Sequence, residues 1–300
     1  MDRTAALARL PDRIAFLGLG LIGGSIALAL RAAGSTARLV AWTPSLAGPE
    51  EALRAGAIDE VAVLPDAAIA DAGLVILAGP PLEVVSVLAS GRADGPWTSL
   101  ARGAVVTDVA STKGRVGAAA IAGAVPFVGG HPMAGRETSG FAAATAALFV
   151  DRPWVIVEGP DSPGGAAELV EALALAVGAR PVRMSAEAHD RAVASISHLP
   201  LVAAAALVDA VTTDAAGWGT AGPLAASGWR DMTRLARGDV DMGAGILDTN
   251  RGAVAAQLRA YRDAIDAWIE ALESDADVAA LRERLATARA ALDGAREADG

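Results

Sequence analysis

Three short segments hold the residue types and spacings that could do chemistry. Gly18-Leu19-Gly20-Leu21-Ile22-Gly23 fits the pattern G-x-G-x-x-G. Glycines so spaced allow a tight turn, let backbone approach a pyrophosphate and let a helix lie close to its strand, while the helix N-terminus offers free N–H groups to phosphate. In a chain with 33 glycines the hexapeptide alone is weak, so its weight rests on what flanks it. Asp108-Val109-Ala110-Ser111-Thr112-Lys113 sets an acid, two hydroxyls and the only lysine of the chain side by side. Gly129-Gly130-His131-Pro132 places one of three histidines among glycines. Imidazole titrates near neutrality and suits a general base, although a His-Pro pair taken alone reads more readily as a structured turn. With no cysteine and no cluster at metal-ligand spacing, no metal site is expected.

These segments need a scaffold, and the flanking pattern supplies one. Arg13–Leu17 is a β-rich run that leads through the glycine turn into an alanine-rich helical pattern at 25–33. Arg38–Trp42 reads as a second strand and 50–55 as the next helix. Residues 73–78 and 103–107 are wholly apolar runs of strand length, as parallel strands covered on both faces require. Residues 127–129, 154–157 and 181–184 read as later strands, with a helix at 166–177. Strand–helix alternation predicts a Rossmann-type, doubly wound α/β domain. Asp108 to Lys113 then falls at the carboxyl end of a strand, where open α/β sheets bind ligands. From Ser185 onward no strand pattern is evident. Val254, Leu258, Tyr261, Ile265, Trp268 and Leu272 share one helical face, and Val278, Leu281, Leu285, Ala288 and Leu292 repeat the pattern. The expected organisation is a dinucleotide-binding domain over 1–184 and an all-helical domain over 185–300.

The end of the second strand bears on which dinucleotide is bound. It reads Ala41-Trp42-Thr43-Pro44-Ser45, with no carboxylate to accept hydrogen bonds from ribose hydroxyls. An acid there would repel a 2′-phosphate, whereas Thr43 and Ser45 can donate to one. The nearest downstream base is Arg54, and Glu50 and Glu51 stand closer. NADP is favoured and NAD stays open.

Composition excludes several classes. Apolar residues at 53% and charged residues at 20% exclude a disordered chain. A net charge of −10 gives no general footprint for nucleic acid or anionic membrane. The most apolar stretch, 192–208, includes Ser195, Ser197, His198 and Pro200 and is read as too short and too polar to span a bilayer. The expectation is a cytoplasmic protein acting on a small molecule.

Five motifs in fixed order resemble the prephenate/arogenate dehydrogenases of tyrosine biosynthesis: GLGLIGGS (18–25), D-x-x-S-x-K (108–113), GGHPMAGRE (129–137), SHLP (197–200) and WRDMTRLA (229–236). The likeness extends over roughly residues 13–251. It implies oxidation of a cyclohexadienyl acid by hydride transfer to a nicotinamide, with loss of carbon dioxide and aromatisation. By similarity His131 takes the proton of the ring hydroxyl and Ser111 hydrogen-bonds that hydroxyl and His131. Arg234, in the D-x-T-R stretch with Asp231, binds a substrate carboxylate. His198 and Glu137 match residues of an ionic network at the pocket entrance, and the C-terminal helices match those that form a homodimer. His189 is read as structural or as a surface residue.

One departure concerns the substrate. Many relatives that use prephenate read SHLPH, the last histidine contacting the substrate side chain, whereas this chain has Leu201. Together with the neutral end of the second strand, this tilts the expectation toward arogenate with NADP. Two other readings share the architecture. A β-hydroxyacid dehydrogenase would carry a late catalytic lysine, and Lys113 is the only one here. A non-catalytic dinucleotide sensor would have lost His131 or Ser111.

Overall fold

The computed structural model describes residues 1–91, 95–136, 138–274 and 277–297. Its frame is an eight-stranded sheet made of β1 Arg13–Leu17, β2 Arg38–Trp42, β3 Glu60–Val61, β4 Leu74–Leu77, β5 Val105–Asp108, β6 Phe127–Pro132, β7 Pro153–Glu158 and β8 Arg180–Arg183. The spatial order is β3-β2-β1-β4-β5-β6-β7-β8. Every neighbouring pair is parallel except β6 and β7. The order reverses direction between β1 and β4, which opens the crevice where such sheets bind ligands. Strand β3 has two residues, too few to show a period in the sequence.

Alternation along the strands builds two cores. Ile14, Phe16, Leu74 and Ile76 face one side, against Ile26 and Leu30 of the helix Leu21–Ala32 and Val170 and Leu173 of the helix Ala166–Ala176. Ala15, Leu17, Val75 and Leu77 face the other, against Val84, Leu88 and Val116. Both faces are covered, so these strands read as unbroken apolar runs.

By contacts the chain forms two compact units, 1–253 and 254–300. The division by fold class falls earlier: β8 ends at Arg183, and the elements after it are helical. The first unit runs past that point because helices after 185 are bonded to the strand ends. Thr112 donates to Thr249 across 2.8 Å, and the Lys113 N–H donates to Asp190 across 2.7 Å. In the second unit, Arg284 stacks 5.4 Å from the centre of the Trp268 ring.

The helical run Ala186–Thr212 has 27 residues, and its most apolar window has a mean hydropathy of 1.6. By length and composition it is long enough to cross a bilayer, which corrects the expectation that this stretch is too short. The reason is a π turn at Ala194–His198 that lets the helix continue past Pro200. Of its polar residues, His189, Asp190 and His198 are hydrogen-bonded inside the first unit.

Candidate active site

The glycine motif forms a cradle of bare backbone. Gly18 has φ of +100°, and a Cβ there would lie 2.5 Å from the Ala78 carbonyl carbon. A Cβ on Gly23 would lie 2.7 Å from the Gly18 oxygen. No side chain fits at either position. Gly20 caps the helix Leu21–Ala32 with no side-chain hydrogen bond and has open space where its Cβ would be. The helix N-terminus is thus left to an external anion, which fits the pyrophosphate of a dinucleotide. Leu19, Leu21 and Ile22 supply backbone and packing, Leu19 in the core and the other two against it. At the end of β2, Thr43 keeps a buried Oγ1 with no partner, while Ser45 is exposed. The connection after β2 adjoins the cradle: a Cβ on Gly48 would lie 2.8 Å from the Leu19 oxygen.

At the ends of β5 and β6 the construction changes from backbone to side chains. Lys113 is 2% exposed and forms an ion pair with the fully buried Asp108. It also donates to the Gly130 carbonyl at 2.7 Å, and the Gly130 N–H donates to Asp108 at 3.0 Å. The glycine pair before His131 makes room for this. A Cβ on Gly129 would press on the Lys113 stem at 3.0 Å, and one on Gly130 would sit 2.6 Å from the Asp108 carbonyl oxygen.

His131, at the carboxyl end of β6, meets His189 of the helix Ala186–Val193, Nδ1 to Nε2, at 2.8 Å. His189 Nδ1 in turn lies 2.8 Å from Asp190 Oδ1. Asp190 also accepts the N–H groups of Lys113 at 2.7 Å and Gly114 at 2.8 Å, capping the helix Gly114–Ala122. Burial pushes the Asp190 carboxyl up, but the hydrogen bonds from His189, Gly114 and Lys113 outweigh it and hold the group below its usual range. His131 is held well below 6.5 by burial first and then by the charge of Lys113, so at neutral pH its ring is the unprotonated base. Asn250 uses both amide hydrogens, one on the Asp190 carbonyl at 2.8 Å and one on His198 Nδ1 at 3.2 Å.

Known proteins share the two-part organisation that carries this site. The family profile described as prephenate dehydrogenase, nucleotide-binding domain, matches residues 26–183, and that described as prephenate dehydrogenase, dimerization domain, matches 185–287. The prephenate dehydrogenase of Bacillus subtilis is 33% identical over 268 residues, 88% of this chain and 69% of that protein. The chain belongs to the prephenate dehydrogenase family. Its NAD(P)-dependent oxidoreductase chemistry follows from that membership. Among solved structures, the arogenate dehydrogenase of Synechocystis superposes with a TM-score of 0.76 at 28% identity, over 94% of this chain and 99% of that one. The Aquifex aeolicus prephenate dehydrogenase, in complex with hydroxyphenyl propionate and NAD+, gives 0.81 at 24% identity over 96% and 98%, a likeness of fold.

Against the family pattern, the residues singled out in the sequence fall in three places. Gly18 to Gly23 and Thr43 lie around the cradle. His131 lies in β6 and Ser111 follows the neighbouring β5, Ser111 half-buried and, among the described residues, without a hydrogen bond. Asp231 lies on the helix Ser227–Thr233 and Arg234 opens the turn Arg234–Arg237; both are exposed, on segments that pack against the helix Leu199–Thr212 just after His198. Glu137 lies outside the described residues. One expectation is corrected and another narrowed. His198 is not ionic: it is buried, burial being opposed by the charge of Asp190 and reinforced by His189, and its pKa falls to about 4, so the ring is neutral at pH 7. Of the two readings of His189, structural or surface, the surface one does not hold: it is 1% exposed and bonded on both ring nitrogens. Nine positions separate His189 from His198, about half a turn apart on an unbroken α-helix. The π turn, closed by the Leu199 N–H on the Ala194 carbonyl, resets that phase. Pro200 hinted at this break, since it cannot donate the usual helical bond.

Proposed function

We propose that this chain oxidises a cyclohexadienyl acid, arogenate in preference to prephenate, with NADP as the preferred acceptor and His131 as general base. The observation that carries the reading is a half-buried imidazole, held unprotonated at neutral pH, at the same carboxyl edge of the sheet as the glycine cradle. Gly18 to Gly23 and Thr43 would hold the dinucleotide, and its nicotinamide would supply the hydride acceptor. His131 takes the hydroxyl proton from the carbon being oxidised, Ser111 holds that hydroxyl, and Arg234, with Asp231 beside it, binds a carboxylate as a planar two-pronged donor. Aromatisation supplies the driving force, so alignment and one proton acceptor are what the protein must add.

Substrate choice rests on Leu201. It stands at the position where many relatives that use prephenate carry the last histidine of SHLPH, and its apolar side chain cannot donate to a keto-acid. Cofactor choice rests on β2 ending without an acid and on the unpartnered Thr43 hydroxyl. The chain is further read as a cytoplasmic homodimer divided by fold at 184. In support, Tyr261, Ile265, Ile269 and Leu272 of the helix Arg251–Glu273 are all exposed apolar side chains. The helix Leu199–Thr212, apolar as it is, buries only Ala204.

The deciding experiment incubates the protein with each acid and each nicotinamide, following absorbance and the aromatic product. Tyrosine formed from arogenate with NADP is the expected result. Turnover of prephenate with none of arogenate, or a strong preference for NAD, reverses the corresponding half of the proposal.

A further inference from the structure

We propose that His189 and Asp190 form a proton-holding relay behind His131, fixing which ring nitrogen of His131 is bare and receiving its positive charge during turnover. This rests on the reading of His131 as the base. The direction of the relay follows from hydrogen-bond chemistry. Asp190 accepts the N–H groups of Lys113 and Gly114 at 2.7 and 2.8 Å, at the positive end of the helix Gly114–Ala122, so it is ionised and only accepts. His189 Nδ1, at 2.8 Å, must therefore donate to it. In the relay that is the one proton His189 carries, so its other nitrogen accepts, and His131 Nδ1, at 2.8 Å, donates to it. One orientation remains for His131: hydrogen on Nδ1, lone pair on Nε2. The two rings meet edge to face, 5.1 Å between centres and 78° between planes.

The balance of the reaction gives this relay a task. Removing a hydride from the carbinol carbon and carbon dioxide from the ring leaves a phenol, with no net release of a proton. The hydroxyl proton that His131 Nε2 takes is therefore returned to the phenolate oxygen once the electron pair of the broken C–C bond has entered the ring. In the interval the Nδ1 proton crosses to His189 Nε2, leaving His131 neutral and a His189 imidazolium against the Asp190 carboxylate. The surroundings of His131 favour that displacement. Lys113, paired with Asp108, faces it from the end of β5, while the compensating acid, Asp190, lies behind His189.

The alternative is that Asp190 merely caps a helix, and two variants with one spectroscopic measurement separate the two. Asp190→Asn keeps the size and one acceptor but removes the negative charge that balances a His189 imidazolium and holds the proton on His189 Nδ1. It is expected to lower kcat about 10³-fold or more, as the equivalent change does in a Ser-His-Asp triad, with KM and cofactor affinity within about threefold. His189→Asn can accept from His131 and donate to Asp190 but cannot hold a proton, so it should retain more activity than Asp190→Asn. Nitrogen-15 NMR of the three histidines in the resting wild type should find the proton of His131 on Nδ1. A proton on Nε2, Asp190→Asn within fivefold of wild-type kcat, or His189→Asn the worse of the two overturns the relay. If the wild type oxidises neither acid, the functional reading fails instead, and the NMR result still judges the relay.

Discussion

The dinucleotide cradle and the base cluster share one sheet edge but are specified in different ways. The cradle is backbone: three glycines within six residues, the start of one helix and the turn after β4. The base cluster is side chains from β5, β6, the helix Ala186–Val193, the π turn and Asn250, joined over as many as 77 positions of sequence. A backbone cradle fails when a side chain intrudes. A side-chain cluster fails when a charge or a hydrogen loses its partner. The two should therefore break separately, and that separation is open to measurement.

The largest effect belongs to the base. Replacing His131 with Asn should lower kcat by about 10²- to 10⁴-fold, the usual worth of a positioned general base, while cofactor affinity measured by fluorescence titration stays within about twofold. The wild-type pH profile sharpens the same point. Burial and then the Lys113 charge hold His131 well below 6.5, so kcat/KM should be level through neutrality and fall only at more acid pH, as the base becomes protonated. An acid limb at or above pH 6.5 would contradict this electrostatic picture.

Next comes the buried pair that supports the base cluster. Lys113→Met leaves Asp108 fully buried without its cation, and removing one partner of such a pair costs about 3–5 kcal/mol. Urea unfolding should show that loss, and the double variant with Asp108→Asn should regain part of it. In the cradle, Gly23→Ala places a methyl 2.7 Å from the Gly18 oxygen, where only backbone can move. The expected result is cofactor affinity weakened about tenfold, or ~1.4 kcal/mol, with kcat at saturating cofactor near the wild-type value. A Gly23→Ala protein that binds normally but turns over slowly would erase the distinction between the regions.

The same distinction explains what could be read from the sequence. The cradle was legible because its parts are consecutive and each glycine has a local steric reason. Strands β1, β2, β4 and β5 were legible because burial on both faces makes them unbroken apolar runs. Strand β3 was too short to leave a pattern. The partners of His131 were not legible, because His189 and Asp190 stand 58 and 59 positions downstream on a helix whose phase is altered by a π turn. Nothing local distinguishes that histidine from one on a surface. The neutrality of His198 was hidden for a related reason: burial is a property of the whole fold, and motif matching supplied a role without its charge state.

The smallest effect tests the cradle at the point where the cofactors differ. The Thr43 hydroxyl is buried without a partner, an arrangement that costs a folded protein about 1–3 kcal/mol unless a ligand satisfies it. Thr43→Val keeps the shape and removes the need. If the hydroxyl serves the 2′-phosphate of NADP, the variant should be slightly more stable than wild type without cofactor, yet bind NADP about three- to tenfold more weakly, the worth of roughly one hydrogen bond. NAD, lacking that phosphate, should bind about as before. Thermal unfolding with and without each nicotinamide reads all three quantities in one series. Equal weakening for both cofactors would assign the hydroxyl to the ribose that they share. No weakening for either would leave it as an unsatisfied group of the fold, and cofactor preference would then need another source.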